Sequence, residues 1–275
     1  FYSYSQKMEL TSAVIALDNH NDLVEAKKWI DKAHEKVESG SSFKKAKLLS
    51  KFNHYRGLIY LKNFQTAALS SFDDLYIAAN SFLSDAVSGS TFSKKSIAQL
   101  EICAYLYQDG AYKDYENNDY KSALLKFTEA ININSSKSIN KVDTFNMYNA
   151  SLMAFQSADY KVSSEWASRL VEIDPSDSRF HIRLIEAYSQ LGDLEMQLNA
   201  IQSARKNVPH SKEIIFSEVN YYLSSGDNKS LLQSLDNAVE SDSKNPILHL
   251  VLGNTYNQMG DFDRAKYSFE QAIFL

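Results

Sequence analysis

A 34-residue interval organises the C-terminal half of the sequence. Gly260-Asp261-Phe262 leads to Ala265, Phe269 and Ala272. Thirty-four residues earlier, Gly226-Asp227 leads to Leu231, Leu235 and Ala238, and 34 earlier again Gly192-Asp193-Leu194 leads to Gln197, Ile201 and Ala204. Asp159-Tyr160 then opens Ser163, Ala167 and Leu170, and Asp119-Tyr120 opens Ala123, Phe127 and Ala130. Self-similarity at such a period marks stacked supersecondary units rather than one central core.

Within each unit the pattern is helical. Ala265, Phe269 and Ala272 lie at i, i+4 and i+7, one face of a helix, and Leu252 and Tyr256 share a face upstream of the turn. Each unit therefore reads as two helices joined by a tight turn. Glycine before the turn can take the left-handed backbone that ends the first helix, and the following Asp can cap the second. Two antiparallel helices approach closely only where side chains are small, which is the role expected of Gly253, Ala265 and Ala272. Tyr256 and Phe269 fill the space beside them. Pro175 and Pro209 close two units, and Pro246 suits a first helical turn. Only 8 Gly and 3 Pro occur in 275 residues, which favours helix over loop-rich sheet.

These residues resemble the tetratricopeptide repeat (TPR) family, whose helix–turn–helix unit carries Leu-Gly, Tyr, Ala, Phe, Ala and Pro at these spacings. The last unit matches best, through Leu252, Gly253, Tyr256, Gly260, Ala265, Phe269 and Ala272; His249 stands where the family has Trp. The resemblance implies an all-α solenoid, a right-handed superhelix of about seven hairpins. Five units are expected over 104–137, 144–177, 178–211, 212–245 and 246–275, within a regular region 101–275.

Residues 1–100 read as divergent hairpins. Asn21-Asp22-Leu23 with Ala26, Ile30 and Ala33 predicts one second helix, and Asn63-Phe64 with Ala67 and Ser71 predicts another. The Ser-rich stretches 39–42 and 84–93, and the insertion 132–142, are expected as longer loops. Phe1 to Lys7 does not suit a helix start. Ser3 and Ser5 would give a signal peptidase its small side chains, which favours a periplasmic or cell-envelope setting over the cytoplasm; a frayed terminus is the alternative. No polar capping helix follows Leu275, so the chain is expected to continue or to be covered there by a partner.

The resemblance also implies a concave face lined by first helices. The residues expected to face it include Tyr105, Gln108, Tyr112 and Tyr115, then Phe145, Tyr148, Leu152 and Phe155. Further along come Arg179, Ile182, Glu186 and Ser189, then Glu213, Phe216, Asn220 and Leu223, and last Ile247, Leu250, Asn254 and Asn257. Tyr105, Tyr112, Tyr115, Phe145, Tyr148 and Phe155 form an aromatic set suited to recognition; the alternative is packing against the neighbouring hairpin. Asn220 and Asn254 occupy equivalent places, where an amide that both donates and accepts suits a peptide bond. The lysine of the family's carboxylate-clamping members is replaced here by Gln108, Tyr148, Ile182, Phe216 and Leu250.

Chemical signals are sparse. The formal charge of -5 argues against a nucleic-acid footprint, which needs a basic face. No apolar run approaches the roughly 20 residues of a membrane span. Cys103 stands alone and reads as a core residue, and the 6 His show no metal-ligand spacing. The Lys27, Lys28, Lys32 and Lys36 face reads as solvated surface. No phosphate loop and no catalytic carboxylate pair is evident, so no cofactor or metal is expected. The reading is a non-catalytic scaffold that binds a protein or peptide on the concave TPR face. The alternatives are the targeting arm of a larger enzyme or sensor, or a subunit of a larger complex such as a bacterial cell-envelope assembly.

Overall fold

The structure, a computed structural model, describes residues 2–39, 43, 45–67, 71–89 and 91–275, with residues 2–6 described in backbone only. Among the described residues there are fourteen α-helices and no strand. The chain forms two compact units, Phe1–Asn146 and Met147–Leu275. In the first, α1 (Tyr2–Asp18) pairs with α2 (Leu23–Glu38), α3 (Ala46–Thr66) with α4 (Phe72–Ala86), and α5 (Ser93–Glu116) with α6 (Tyr120–Asn134). In the second, α7 (Thr144–Gln156) meets α8 (Tyr160–Ile173), α9 (Ser178–Leu191) meets α10 (Leu194–Asn207), α11 (Lys212–Ser225) meets α12 (Asn228–Ser241), and α13 (Pro246–Gln258) meets α14 (Phe262–Phe274). Each unit is a stack of helical hairpins, the α-solenoid class. The unit boundary lies inside α7, and residue 100 lies inside α5.

The turn chemistry is as the repeat requires. Asp22, Asp119, Asp159, Asp193, Asp227 and Asp261 each accept a hydrogen bond from the backbone N–H three residues on, at 2.9–3.3 Å. A side-chain cap of this kind contributes about 1 kcal/mol per helix. Gly192, Gly226 and Gly260 end their helices at φ of 69°, 72° and 79°, as the Gly-Asp pattern predicts. Upstream the same left-handed place is held by Asn21, Asn118 and Ala158. Asparagine tolerates that backbone, whereas alanine has no such compensation.

Close approach is achieved as expected. A Cβ at Gly253 would lie 2.5 Å from the Phe269 ring, and one at Gly57 would lie 2.5 Å from Phe82. At the α7–α8 contact, Ser151 and Ser163 are both buried and each hydroxyl donates to the other's backbone carbonyl, at 3.0 and 2.9 Å. In the second unit Ile201, Ala204 and Ile214 interlock in one core cluster, and Leu235, Ala238, Leu248 and Leu252 in the next.

The first unit departs from the sequence reading in four places. The α1 backbone is helical from Tyr2, where no helix start is expected; the side chains of Ser3 and Ser5 lie outside the described residues. The Asn63-Phe64 turn does not exist: α3 runs on to Thr66, and the second helix begins at α4, capped by Ser71, whose Oγ accepts from Asp73 N. The apolar stripe there is Leu75, Ala79, Phe82 and Ala86, which the Ala67/Ser71 register missed by several residues. The N-caps Asp22, Ser71 and Asp119 stand 49 and 48 residues apart, and much of the added length is helix rather than loop. α3 and α5 have 21 and 24 residues, against 14 in α9. Finally, the stretch 84–93 is loop only between Val87 and Phe92, since α4 includes Ser84 and α5 begins at Ser93; Ser90 lies outside the described residues, as do residues 40–42 of the first Ser-rich stretch.

Ser88 and Ser93 of this stretch, with Ser50 and Ser96 from outside it, surround a carboxylate. Asp85 is fully buried and accepts from the hydroxyls of Ser50, Ser88 (3.2 Å) and Ser96 (2.6 Å), while Ser93 donates to its backbone carbonyl at 2.9 Å. His54 Nδ1 lies 2.8 Å from Ser96 Oγ, and since that hydroxyl donates to Asp85 the imidazole Nδ1–H is the donor. The ring stacks on Phe92 at 5.0 Å. The polar groups fix the register of α3, α4 and α5 in a core that apolar contacts alone would leave free to slide.

Two outcomes follow from these features. Ala158→Gly should raise stability by about 0.5–1 kcal/mol in urea unfolding, by relieving the left-handed alanine; no change would place the strain elsewhere. Burial pushes the His54 imidazole below its ordinary value of 6.5. Its stabilising effect is complete above the unfolded value and is lost as pH falls through the folded one. Wild type should therefore lose more stability between pH 7.5 and 5 than His54→Gln. Burial depresses His34 as well, which leaves the variant a residual slope. Equal losses would assign the acid sensitivity to other groups.

Candidate functional site

The expected recognition residues fall in both units. In the first, the structure brings Tyr105 and Gln108 together at the mouth of a cavity of about 360 Å³. Its other walls are Glu101 and Ala104 from α5, and Asn134, Ile139 and Lys141 from the end of α6 and the loop after it. Tyr105 is 64% exposed. Tyr112 is half-buried with its ring edge-on to Phe127 at 5.4 Å, and Tyr115 leans on Tyr120 at 6.2 Å. Tyr105 thus leaves its ring open, while Tyr112 serves the α5–α6 contact. Phe145, at the start of α7, is 56% exposed.

The insertion after α6 is built, not slack. Asn134 Nδ2 donates to Asp143 Oδ2 at 2.6 Å, and the same carboxylate caps α7 by accepting from Asn146 N at 3.0 Å. Lys141 N donates back to Asn134 O at 2.8 Å, closing the loop as a ring, and Asn140 turns it with a φ of 52°. Asn134, Asp143 and Asn146 are all buried. The loop accordingly holds Ile139 and Lys141 as a fixed wall beside the α5 face. The sequence reading identified an insertion here but not its part in the site. The signal was available in Asn134, Asp143 and Asn146, whose spacing permits a local amide–carboxylate network.

In the second unit the first-helix residues divide. Tyr148 packs on Phe180 at 6.0 Å with the Arg179 guanidinium 5.6 Å from its ring. Phe155 is edge-on to Tyr160 at 5.2 Å and lies under Arg183 at 4.7 Å. Phe216 packs against the core cluster that contains Leu248 and Leu252. These three are held by neighbouring helices. Asn220 and Asn254 are exposed. Leu250 lines a separate cavity of about 380 Å³ with Pro246, Ile247, Phe269, Ala272 and Ile273.

Burial pushes the Cys103 thiol up to about 12, which leaves it unreactive at neutral pH. Among the described residues no three His, Cys, Asp or Glu side chains gather as a metal-holding group, and no helix is long and apolar enough to cross a membrane.

Residues 248–273 match the family model described as tetratricopeptide repeat. No curated protein matches the sequence. Among solved structures, one titled "Crystal structure of MamA protein" is 14% identical, covers 62% of this chain and 90% of that chain, and superposes with a TM-score of 0.53. Another, "Crystal structure of MamA", is 13% identical over 59% of this chain and 92% of that one, with a TM-score of 0.51. A third, "MamA 41-end from Desulfovibrio magneticus RS-1", is 14% identical over 62% and 94%, with a TM-score of 0.50. At such identities the likeness is one of fold.

The loop network can be tested by itself. Asn134→Ala should cost about 1–2 kcal/mol in unfolding free energy, because Asp143 loses a buried donor. A smaller change would mean that water replaces the amide and the wall is not held by this contact.

Proposed function

We propose that this chain, an α-solenoid whose residues 248–273 match the tetratricopeptide repeat model, is a non-catalytic scaffold that holds an extended peptide of a partner protein against the α5 face of its first unit. TPR proteins bind proteins, and the fold is typical of scaffolds. The observation that carries the finer reading is the convergence of Tyr105 and Gln108 with Asn134, Ile139 and Lys141 around one cavity of about 360 Å³. Such a volume takes one or two side chains of a peptide.

The roles follow from the side chains. The exposed Tyr105 ring buries a large apolar area at little entropic cost. Ile139 supplies the facing apolar wall. The Gln108 amide both donates and accepts, which fits a peptide bond laid along α5. Glu101 and Lys141 carry opposite charges at the same cavity and select for complementary side chains by position rather than by net charge. Asn220 and Asn254, exposed one repeat apart, offer a second place for backbone contacts within the other unit.

Affinity purification from the native host, with the wild-type chain and with Tyr105→Ala/Gln108→Ala as baits, tests the reading. A partner retained by wild type should be depleted from the variant, with at least a tenfold loss of affinity once the pair is purified, or about 1.4 kcal/mol. Helicity by circular dichroism should be unchanged. Equal retention by both baits would remove the α5 cavity from the binding surface.

A further inference from the structure

We propose that a second cavity in the first unit, ringed by lysines, binds an acidic peptide segment that carries an apolar anchor residue. The cavity has a volume of about 410 Å³ and is lined by Lys7, Lys45, Lys47, Lys51, Leu48, Tyr55 and Phe92. Three elements converge there. Lys7 comes from α1, Phe92 caps α5, and Lys47, Lys51 and Tyr55 lie at i, i+4 and i+8 along one face of α3.

Two properties separate this cluster from an ordinary solvated surface. First, none of its lining residues is a carboxylate, and none of the four ammonium groups is in an ion pair among the described residues. In the same unit Lys27, Lys28, Lys36, Lys113 and Lys126 are each paired with Asp or Glu, and Lys32, Lys62, Lys94, Lys95, Lys121, Lys137 and Lys141 are in no ion pair among the described residues; what sets the four cavity lysines apart is that they gather around one hollow. In a chain of net charge -5, four cations around one hollow, with Asp18 beside it at the Tyr55 hydroxyl, leave a local excess of positive charge. Second, the floor is apolar and fixed. Tyr55 donates its hydroxyl to Asp18 at 2.7 Å, which holds the ring, and Phe92 stacks on the buried His54. The Lys51 ammonium stands 5.4 Å from the Tyr55 ring.

An acidic segment with an aromatic or leucine-type side chain satisfies both properties. The apolar side chain fills the hollow against Leu48, Tyr55 and Phe92, and flanking carboxylates meet the lysines. A nucleic acid fits less well. It needs cations spaced along a track, and guanidinium forks suit phosphate better than point-charge ammoniums. The site uses neither Tyr105 nor Gln108, so it stands apart from the α5 cavity.

The test is fluorescence anisotropy on the full chain with a fluorescein-labelled hexapeptide of glutamate and aspartate around one phenylalanine. Wild type should bind it, more weakly as salt rises. Lys47→Glu/Lys51→Glu should lower affinity at least tenfold, and the milder Lys47→Gln/Lys51→Gln should lower it by less with helicity unchanged. Lys121→Glu/Lys161→Glu, with the same change of net charge elsewhere, and Tyr105→Ala/Gln108→Ala should leave it within twofold. Absence of binding, equal losses in the two charge-reversal variants, or equal binding of a glutamine and asparagine counterpart of the peptide would overturn the proposal. So would tighter binding of labelled hexathymidylate through the same lysines.

Discussion

The architecture depends on how near two helices of a hairpin can come. Gly253 faces the Phe269 ring so closely that a Cβ would lie 2.5 Å from it, and Gly57 faces Phe82 at the same distance. A ring seated on bare backbone brings the two helices of the hairpin together. From that contact the rest follows. Ala265 is buried on the helix that carries Phe269, the Gly-Asp turn closes the hairpin, and Leu248 and Leu252 of α13 interlock with Leu235 and Ala238 of the hairpin before it. A larger side chain at either glycine would have to displace the ring, and with it the face that the neighbouring helix rests on.

The two units solve the same packing problem with different means. The second uses apolar clusters of modest size, each bridging consecutive hairpins. The first joins its three hairpins in one continuous core from Leu10 to Ile133 and adds the Asp85 network within it. A long helix has more than one apolar register open to it. Burying a carboxylate whose partners include three hydroxyls from α3, the α4–α5 connection and α5 makes the wrong registers costly. The extra turns of α3 and α5 and the serines at their N-terminal ends therefore belong together. The same extra turns carry Lys47 and Lys51 and position Phe92, so the lysine-ringed cavity exists only where the regular repeat has been lengthened.

Legibility in the sequence followed regularity. The Gly-Asp turns, the six aspartate caps and the small–aromatic contacts were readable because each requires a particular residue at a particular spacing. The first hundred residues were not, because Asn63-Phe64 imitates a turn signal inside α3 while the true turn carries neither Gly-Asp nor a fixed interval. Ser84 to Ser93 looked like a loop by composition; that Ser88 and Ser93 join Ser50 and Ser96 around a single buried Asp85 depends on α3 and α5 arriving from either side, which no local pattern encodes. Of the recognition residues, position on a helix face was legible and exposure was not. Tyr148, Phe155 and Phe216 lie on the expected stripe, yet partners from α8, α9 and the following core take up their rings.

That division separates covered aromatics from open ones. A regular hairpin spends its aromatic residues on its neighbour, because the next first helix always arrives at the same height and covers the same stripe. Among the first-helix aromatics of the expected set, those left open, Tyr105, Tyr115 and Phe145, stand on either side of the insertion after α6. After α6 the loop around Asn134 and Asp143 takes the place of an immediate next helix, and Tyr105 is left 64% exposed beside it. At the other departure from regularity, the junction of α3, α4 and α5, Phe92 and Tyr55 floor a second hollow. Both cavities thus arise from the same cause, an irregular connection set into a periodic stack. In this chain the repeat provides rigidity, and the interruptions of the repeat provide surfaces with distinct chemistry, one of mixed polarity and one cationic.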